Sequence, residues 1–182
     1  MKYLREIRSW LGSFGIAFLI ALVVGIFVFQ PYRVDGHSMD PTLHDGERVY
    51  VSKLSHTFDY MPAYGDIVII DSRVDRKRTF MDEIKDHPFF AWFESGNDHT
   101  YYVKRVIGKP GDFIEIKGGK LYRNGKALDE PYTKEPMTDV GDQTWTVPKD
   151  SIFVMGDNRN NSEDSRAIGY IPLDHVMGIM KF

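Results

Sequence analysis

The sequence predicts a mostly antiparallel β protein carried on one N-terminal apolar helix. Residues 11–29, LGSFGIAFLIALVVGIFVF, are nineteen in a row without a charge; six short apolar or alternating runs follow; and GG and NG dipeptides punctuate the middle of the chain.

As a helix, the uncharged stretch approaches the roughly 20 residues needed to cross a bilayer. A cleaved secretion signal is the competing reading. The stretch is longer than an ordinary signal core, however, and its end, FVFQPYR, lacks the small-x-small residues that a processing enzyme needs. Residues 11–29 are therefore read as a retained transmembrane anchor. In the flank, residues 1–10, Lys2, Arg5 and Arg8 outweigh Glu6. Cationic flanks stay cytoplasmic, which puts residues 30–182 on the extracytoplasmic side with the lipid bilayer as a partner.

Beyond the anchor, 20 Lys and Arg face 25 Asp and Glu, a net charge of −5 that argues against a nucleic-acid partner. The chain has no cysteine, which excludes a disulfide framework and thiol catalysis and leaves the compartment open. About 150 residues suffice for one sizeable core, and no long linker interrupts them.

The runs ERVYVSKL, DIVIID, YYVKRVIG, DFIEIK, KLYRNGKAL and SIFVMGD read as strands. Gly118–Gly119 and Asn124–Gly125 mark tight hairpins, and residues 112–150 or so are expected to form a small hairpin subdomain. Residues 71–100 break the strand rhythm with charges and then FFAWF at 89–93. Those aromatics either pack onto the β domain or rest at the bilayer interface as a foot. Nothing in the chain indicates an oligomeric state.

Ser38, in GHSMDPTL at 36–43, and Lys104, in the strand YYVKRVIG, are the candidate chemical pair. A serine hydroxyl is a poor nucleophile until a base takes its proton. His37 adjoins Ser38, but neighbours on an extended chain point to opposite faces. His44, His56, His87, His99 and His175 are scattered without HExxH or similar spacing, so they read as surface or structural residues, with no metal and no cofactor expected. Lysine serves as a base only when neutral, and burial among apolar groups lowers its pKa by penalising the charged form. The flanking aromatic and β-branched residues permit that at Lys104, while strand alternation turns Arg105 the other way. Taken alone, a strand lysine is as readily a solvated edge residue.

The anchor, SMDPTL, YGDIVII, YVKRVIGKPGD and GDNRNNSEDSR, in that order over nearly the whole chain, resemble type I signal peptidases of the Gram-positive kind. That resemblance implies an antiparallel, β-barrel-like catalytic domain with Ser38 as nucleophile and Lys104 as general base. It further implies that Ser162 hydrogen-bonds the Lys104 amine and that Asp164 pairs with Arg166 to hold that wall. The backbone N–H of Ser38 would be the oxyanion donor; Gly36 stands where some members carry a second, hydroxyl donor, and what replaces it is left open. The implied substrates are exported preproteins with an Ala-x-Ala-like signal-peptide end, bound as an added strand. Met39, Ile67 and Val68 are the implied pocket residues, with core packing as the alternative for such strand hydrophobics. The Gram-positive enzymes have a shorter connection where residues 71–100 stand, a departure that bears on substrate preference.

Two other readings compete. Self-cleaving SOS repressors share a serine–lysine pair on a related β fold, but they carry a DNA-binding head where this chain has its apolar span. A membrane-anchored β module that binds envelope components without catalysis would have no use for the pair or its orienting wall.

Overall fold

The computed structural model describes residues 2–27, 29–53, 61–74, 76, 79, 82, 101–138 and 140–180. The FFAWF run and most of the 71–100 segment lie outside the described residues.

Helix α1 (Lys2–Phe27) is exposed over 6–24, with Leu22 alone half-buried there. Its 26 residues make a rod of about 39 Å, and the stretch Glu6–Val24 is long and apolar enough to cross a membrane. It therefore fits a transmembrane helix. The helix stops two residues short of the end expected from hydropathy, because Phe29 already pairs with Ser52 as the first residue of β1 (Phe29–Arg33). Sheet pairing overrides the apolar run there. Pro31 within β1 is tolerated because β1 is an edge strand.

Ten further strands follow: β2 (Arg48–Ser52), β3 (Ile67–Asp71), β4 (Tyr101–Gly108), β5 (Phe113–Lys117), β6 (Lys120–Arg123), β7 (Lys126–Ala127), β8 (Gln143–Thr146), β9 (Ser151–Met155), β10 (Ile171–Pro172) and β11 (Val176–Met180). They form a seven-stranded sheet in the order β1-β2-β11-β3-β4-β9-β10 and a four-stranded sheet in the order β7-β6-β5-β8. All pairings are antiparallel, and the larger sheet curls into the expected barrel-like form, open at β1 and β10. The six sequence runs all become strands, with KLYRNGKAL divided into β6 and β7 by a turn whose Asn124 and Gly125 both have positive φ (51° and 75°). That is the backbone an Asn-Gly hairpin requires.

Alternation sorts the strand residues into separate cores. Ile67 and Ile69 face a cluster with Val34, Met39, Leu43, Val49 and Val51. Val68 and Ile70 face the opposite side, with Val106, Ile152, Val154 and Ile179. A third cluster, in which Ile107, Phe153 and Met155 meet Ile114, Ile116, Leu121 and Val147, fastens the smaller sheet to β4 and β9. Every residue of β3 is buried, as expected of a central strand.

Strand β11 lies between β2 and β3 and closes the centre of the large sheet, although its sequence VMGIM carries only a weak strand signal. Its register shifts between Val176 and Gly178. A Cβ at Gly178 would meet the Ser52 carbonyl at 2.5 Å and Val51 Cγ1 at 2.6 Å, so glycine is what lets the strands approach.

Candidate active site

Strand β4 carries the site on both of its faces. Val68 pairs with Lys104 and Ile67 with Arg105, so the two cations point to opposite sides of the sheet. On the far edge, Arg105 pairs with Met155, the last residue of β9. Beside Lys104 the ladder has therefore ended, and Gly156 stands where the next strand residue would.

Arg105 is an anchor. Its guanidinium grips Asp157 through Nε and Nη2 at 2.8 and 2.6 Å and donates to the Gly65 carbonyl at 2.8 Å. Its plane stacks on Tyr132 at 4.0 Å. Asp157 also accepts from the Thr42 hydroxyl at 2.5 Å, while Asn158 donates from its backbone to the Ser38 carbonyl at 3.0 Å and from its side chain to the His37 carbonyl at 2.9 Å. Together these bonds clamp the turn that bears Ser38 onto β4 and the end of β9. Replacing Asp157 by Ala leaves the Arg105 cation, only 11% exposed, without its carboxylate. The expected loss is about 3–5 kcal/mol of folding stability, read by urea unfolding.

On the other face, Lys104 Nζ lies 2.9 Å from Ser38 Oγ and 3.1 Å from the Val103 carbonyl. The lysine is 3% exposed. Burial brings its pKa down to about 8, and the carboxylates of Asp164 and Glu163 pull against that fall. The ring of Tyr102, two residues back on the same face, sits 5.1 Å from the amine.

Behind Lys104, Asp164 accepts two bonds from Arg166 at 2.8 Å each and a third from the Gly156 N–H at 3.1 Å. It also caps the short helix α2 (Ser165–Ile168). Arg166 donates to the Arg159 carbonyl at 2.7 Å, and Arg159 returns a bond from Nε to the Gly156 carbonyl at 2.9 Å. Arg159 is in turn held by both oxygens of Glu130 at 2.9 and 2.6 Å. Both polar groups of the Gly156 backbone are thus fixed by its own loop.

Several sequence expectations need correction here. Ser162 does not hydrogen-bond the Lys104 amine: its Oγ is buried and has no hydrogen-bond partner among the described residues. The hydroxyl is packed against Gly156 instead, and the Lys104 amine is spent on Ser38 and the Val103 carbonyl. Met39, Ile67 and Val68 are 1%, 3% and 0% exposed and do not line one groove. Met39 and Ile67 lie in one core cluster and Val68 in the cluster across the sheet, so core packing, the alternative left open, describes them. At Gly36, where the second donor was left open, φ is +87° and the N–H donates to Asp45 Oδ1 at 2.9 Å.

The clamp of Arg105, Asp157, Thr42 and Asn158 and the close approach at Gly156 were missed. GDN directly after a strand was the available signal, since Asp and Asn in such turns hydrogen-bond nearby backbone. His37 and His44 face Asp40 at 3.4 and 3.5 Å rather than the serine, and buried His175 reaches the carbonyls of Asp71 and Arg76. Among the described residues, no group of three His, Asp or Glu is arranged to hold a metal.

A serine hydroxyl against a buried lysine amine, on a curled antiparallel sheet, is the equipment of a hydrolase that transfers acyl groups. The chain belongs to the signal peptidase family, peptidase S26, whose family model matches residues 7–182. It is 40% identical to signal peptidase I of Bacillus licheniformis over 98% of this chain and 88% of that protein. To signal peptidase I T of Bacillus subtilis it is 40% identical over 96% of this chain and 83% of the relative, and to signal peptidase IB of Staphylococcus aureus strain COL 34% over 98% and 89%. A solved signal peptidase I from Enterococcus faecalis V583 matches with a TM-score of 0.48 and 26% identity over 66% of this chain and 97% of that one.

Proposed function

We propose that the chain is a membrane-bound serine endopeptidase that removes N-terminal signal peptides from exported preproteins after an Ala-x-Ala-like site. Ser38 is the nucleophile and Lys104 its general base. The observation that carries this reading is the 2.9 Å approach of the Ser38 hydroxyl to an amine that burial drives toward neutrality. Neutral Lys104 accepts the Ser38 proton as Oγ attacks the scissile carbonyl, then returns it to the leaving amine. A water then attacks the acyl-enzyme: Lys104 accepts its proton and hands it to Ser38 Oγ as the acyl–oxygen bond breaks, which restores the free serine and the neutral amine. The Ser38 N–H donates to the oxyanion. The pair of Asp164 and Arg166 holds the wall behind the base, and Ser162, adjoining Gly156, restricts where that wall can move. Helix α1 anchors the enzyme in the bilayer, with the N-terminus cytoplasmic and the β domain outside.

The test uses the full chain in detergent with a preprotein bearing an Ala-x-Ala site, the product's new N-terminus being read by mass spectrometry. Wild type is expected to cut after the second alanine, and Ser38→Ala is expected not to cut. The base must be neutral, so activity should rise with pH through a midpoint near the Lys104 value of about 8, below the ordinary lysine value of about 10.4. Cleavage that persists in Ser38→Ala, or a flat profile between pH 6 and 10, overturns the mechanism; no cleavage by wild type favours a binding module.

A further inference from the structure

Glu163, an exposed residue on the loop between Gly156 and Asp164, is tied to the face of β4 that holds Lys104. The Tyr102 hydroxyl donates to Glu163 Oε2 at 2.9 Å, and the Tyr102 ring stands 5.1 Å from the Lys104 amine. The bond spans 61 residues of chain, so it links the two segments that make the site. Other charges near Lys104 are matched: Asp164 is paired with Arg166 and Asp157 with Arg105. The partner that Glu163 keeps is the neutral phenol of Tyr102, whose ionisation both burial and the Glu163 carboxylate oppose.

We propose that Glu163 is a positioning residue for the Ser38–Lys104 reaction, a strap that fixes the Tyr102 ring over the amine and holds on that side of the site a carboxylate with no cation paired to it among the described residues. The proposal rests on the serine–lysine reading and adds to it a built-in brake. A carboxylate near the amine favours the ammonium, in the same direction as Asp164 and Asp157 and against the burial and the Arg166 charge that favour the neutral form. Below the midpoint it therefore holds back the fraction of active enzyme; above the midpoint Lys104 is already neutral and the brake has no effect. Tyr102 transmits the effect by keeping the carboxylate from swinging into water.

The test measures kcat/KM against pH for the full chain in detergent, for wild type, Glu163→Gln and Tyr102→Phe, at low and at high salt. Glu163→Gln keeps an acceptor for the phenol and removes only the charge. Its midpoint is expected to move to lower pH, with kcat/KM raised about twofold one unit below the midpoint, as suits a charge at the protein surface. The gain should shrink in 1 M salt, where exposed charges are screened. Tyr102→Phe frees the carboxylate and should move the midpoint in the same direction. A flat wild-type profile sinks the serine–lysine reading itself. A rising wild-type profile that coincides with that of Glu163→Gln overturns the strap alone, as does a shifted Glu163→Gln with an unshifted Tyr102→Phe.

Discussion

Lys104→Met is expected to lower kcat by about 10³-fold or more at every pH while leaving the protein at least as stable as wild type. Methionine has a similar length and fills the same volume, so no cavity opens in a site where the lysine is 3% exposed. It also removes an amine whose burial disfavours its charged form. The two readouts separate chemistry from folding: kcat falls, and Tm holds or rises. If cleavage survives near the wild-type rate, the base is another group; if Tm collapses, Lys104 has a structural role that its contacts do not indicate.

Gly156→Ala should be the most damaging glycine-to-alanine change among the described residues. A Cβ there would run into Ser162 Oγ, Ser162 Cβ and the carbonyl of Ser38, all closer than real Cβ contacts allow. The backbone atoms cannot step aside, because Asp164 and Arg159 hold the Gly156 N–H and carbonyl and Asn158 holds the Ser38 carbonyl. Overpacking of this kind costs about 1–3 kcal/mol, and a displacement of Ser38, the proposed nucleophile, by about 1 Å costs about 10²-fold in kcat. KM should change little, since the clash lies behind the serine. Gly141→Ala is the control: an added Cβ there meets nothing within 4 Å. Equal effects of the two substitutions on kcat would remove the steric account of Gly156.

What the sequence disclosed follows from the range of the forces involved. Period-two alternation is local, so β2, β5 and β6 could be read from their own residues, and an Asn-Gly turn carries its positive φ values with it. Strand β11 could not be read that way. Its place depends on β2 and β3, more than a hundred residues earlier, and its glycine answers to the Ser52 carbonyl rather than to any neighbour in sequence. The site divides likewise. Alternation put Lys104 and Arg105 on opposite faces, and the pairing of Asp164 with Arg166 joins residues only two positions apart. The approach of Ser38 to Lys104 and of Asp157 to Arg105 joins segments 66 and 52 residues apart, which composition and period do not encode; the first was reachable only by resemblance. The resemblance did not foresee a Ser162 hydroxyl without a partner among the described residues, because its packing at Gly156 brings together segments distant in sequence, the Ser38 turn included.

One residue separates the end of α1 at Phe27 from the start of β1 at Phe29, and β1 is hydrogen-bonded at once into the large sheet. With the helix seated in a bilayer, a link of one residue is too short to act as a leash. Under the proposed function the serine then stays near a set height, and its encounter with a membrane-inserted substrate becomes a search across a plane, governed by lateral diffusion and surface density instead of bulk concentration.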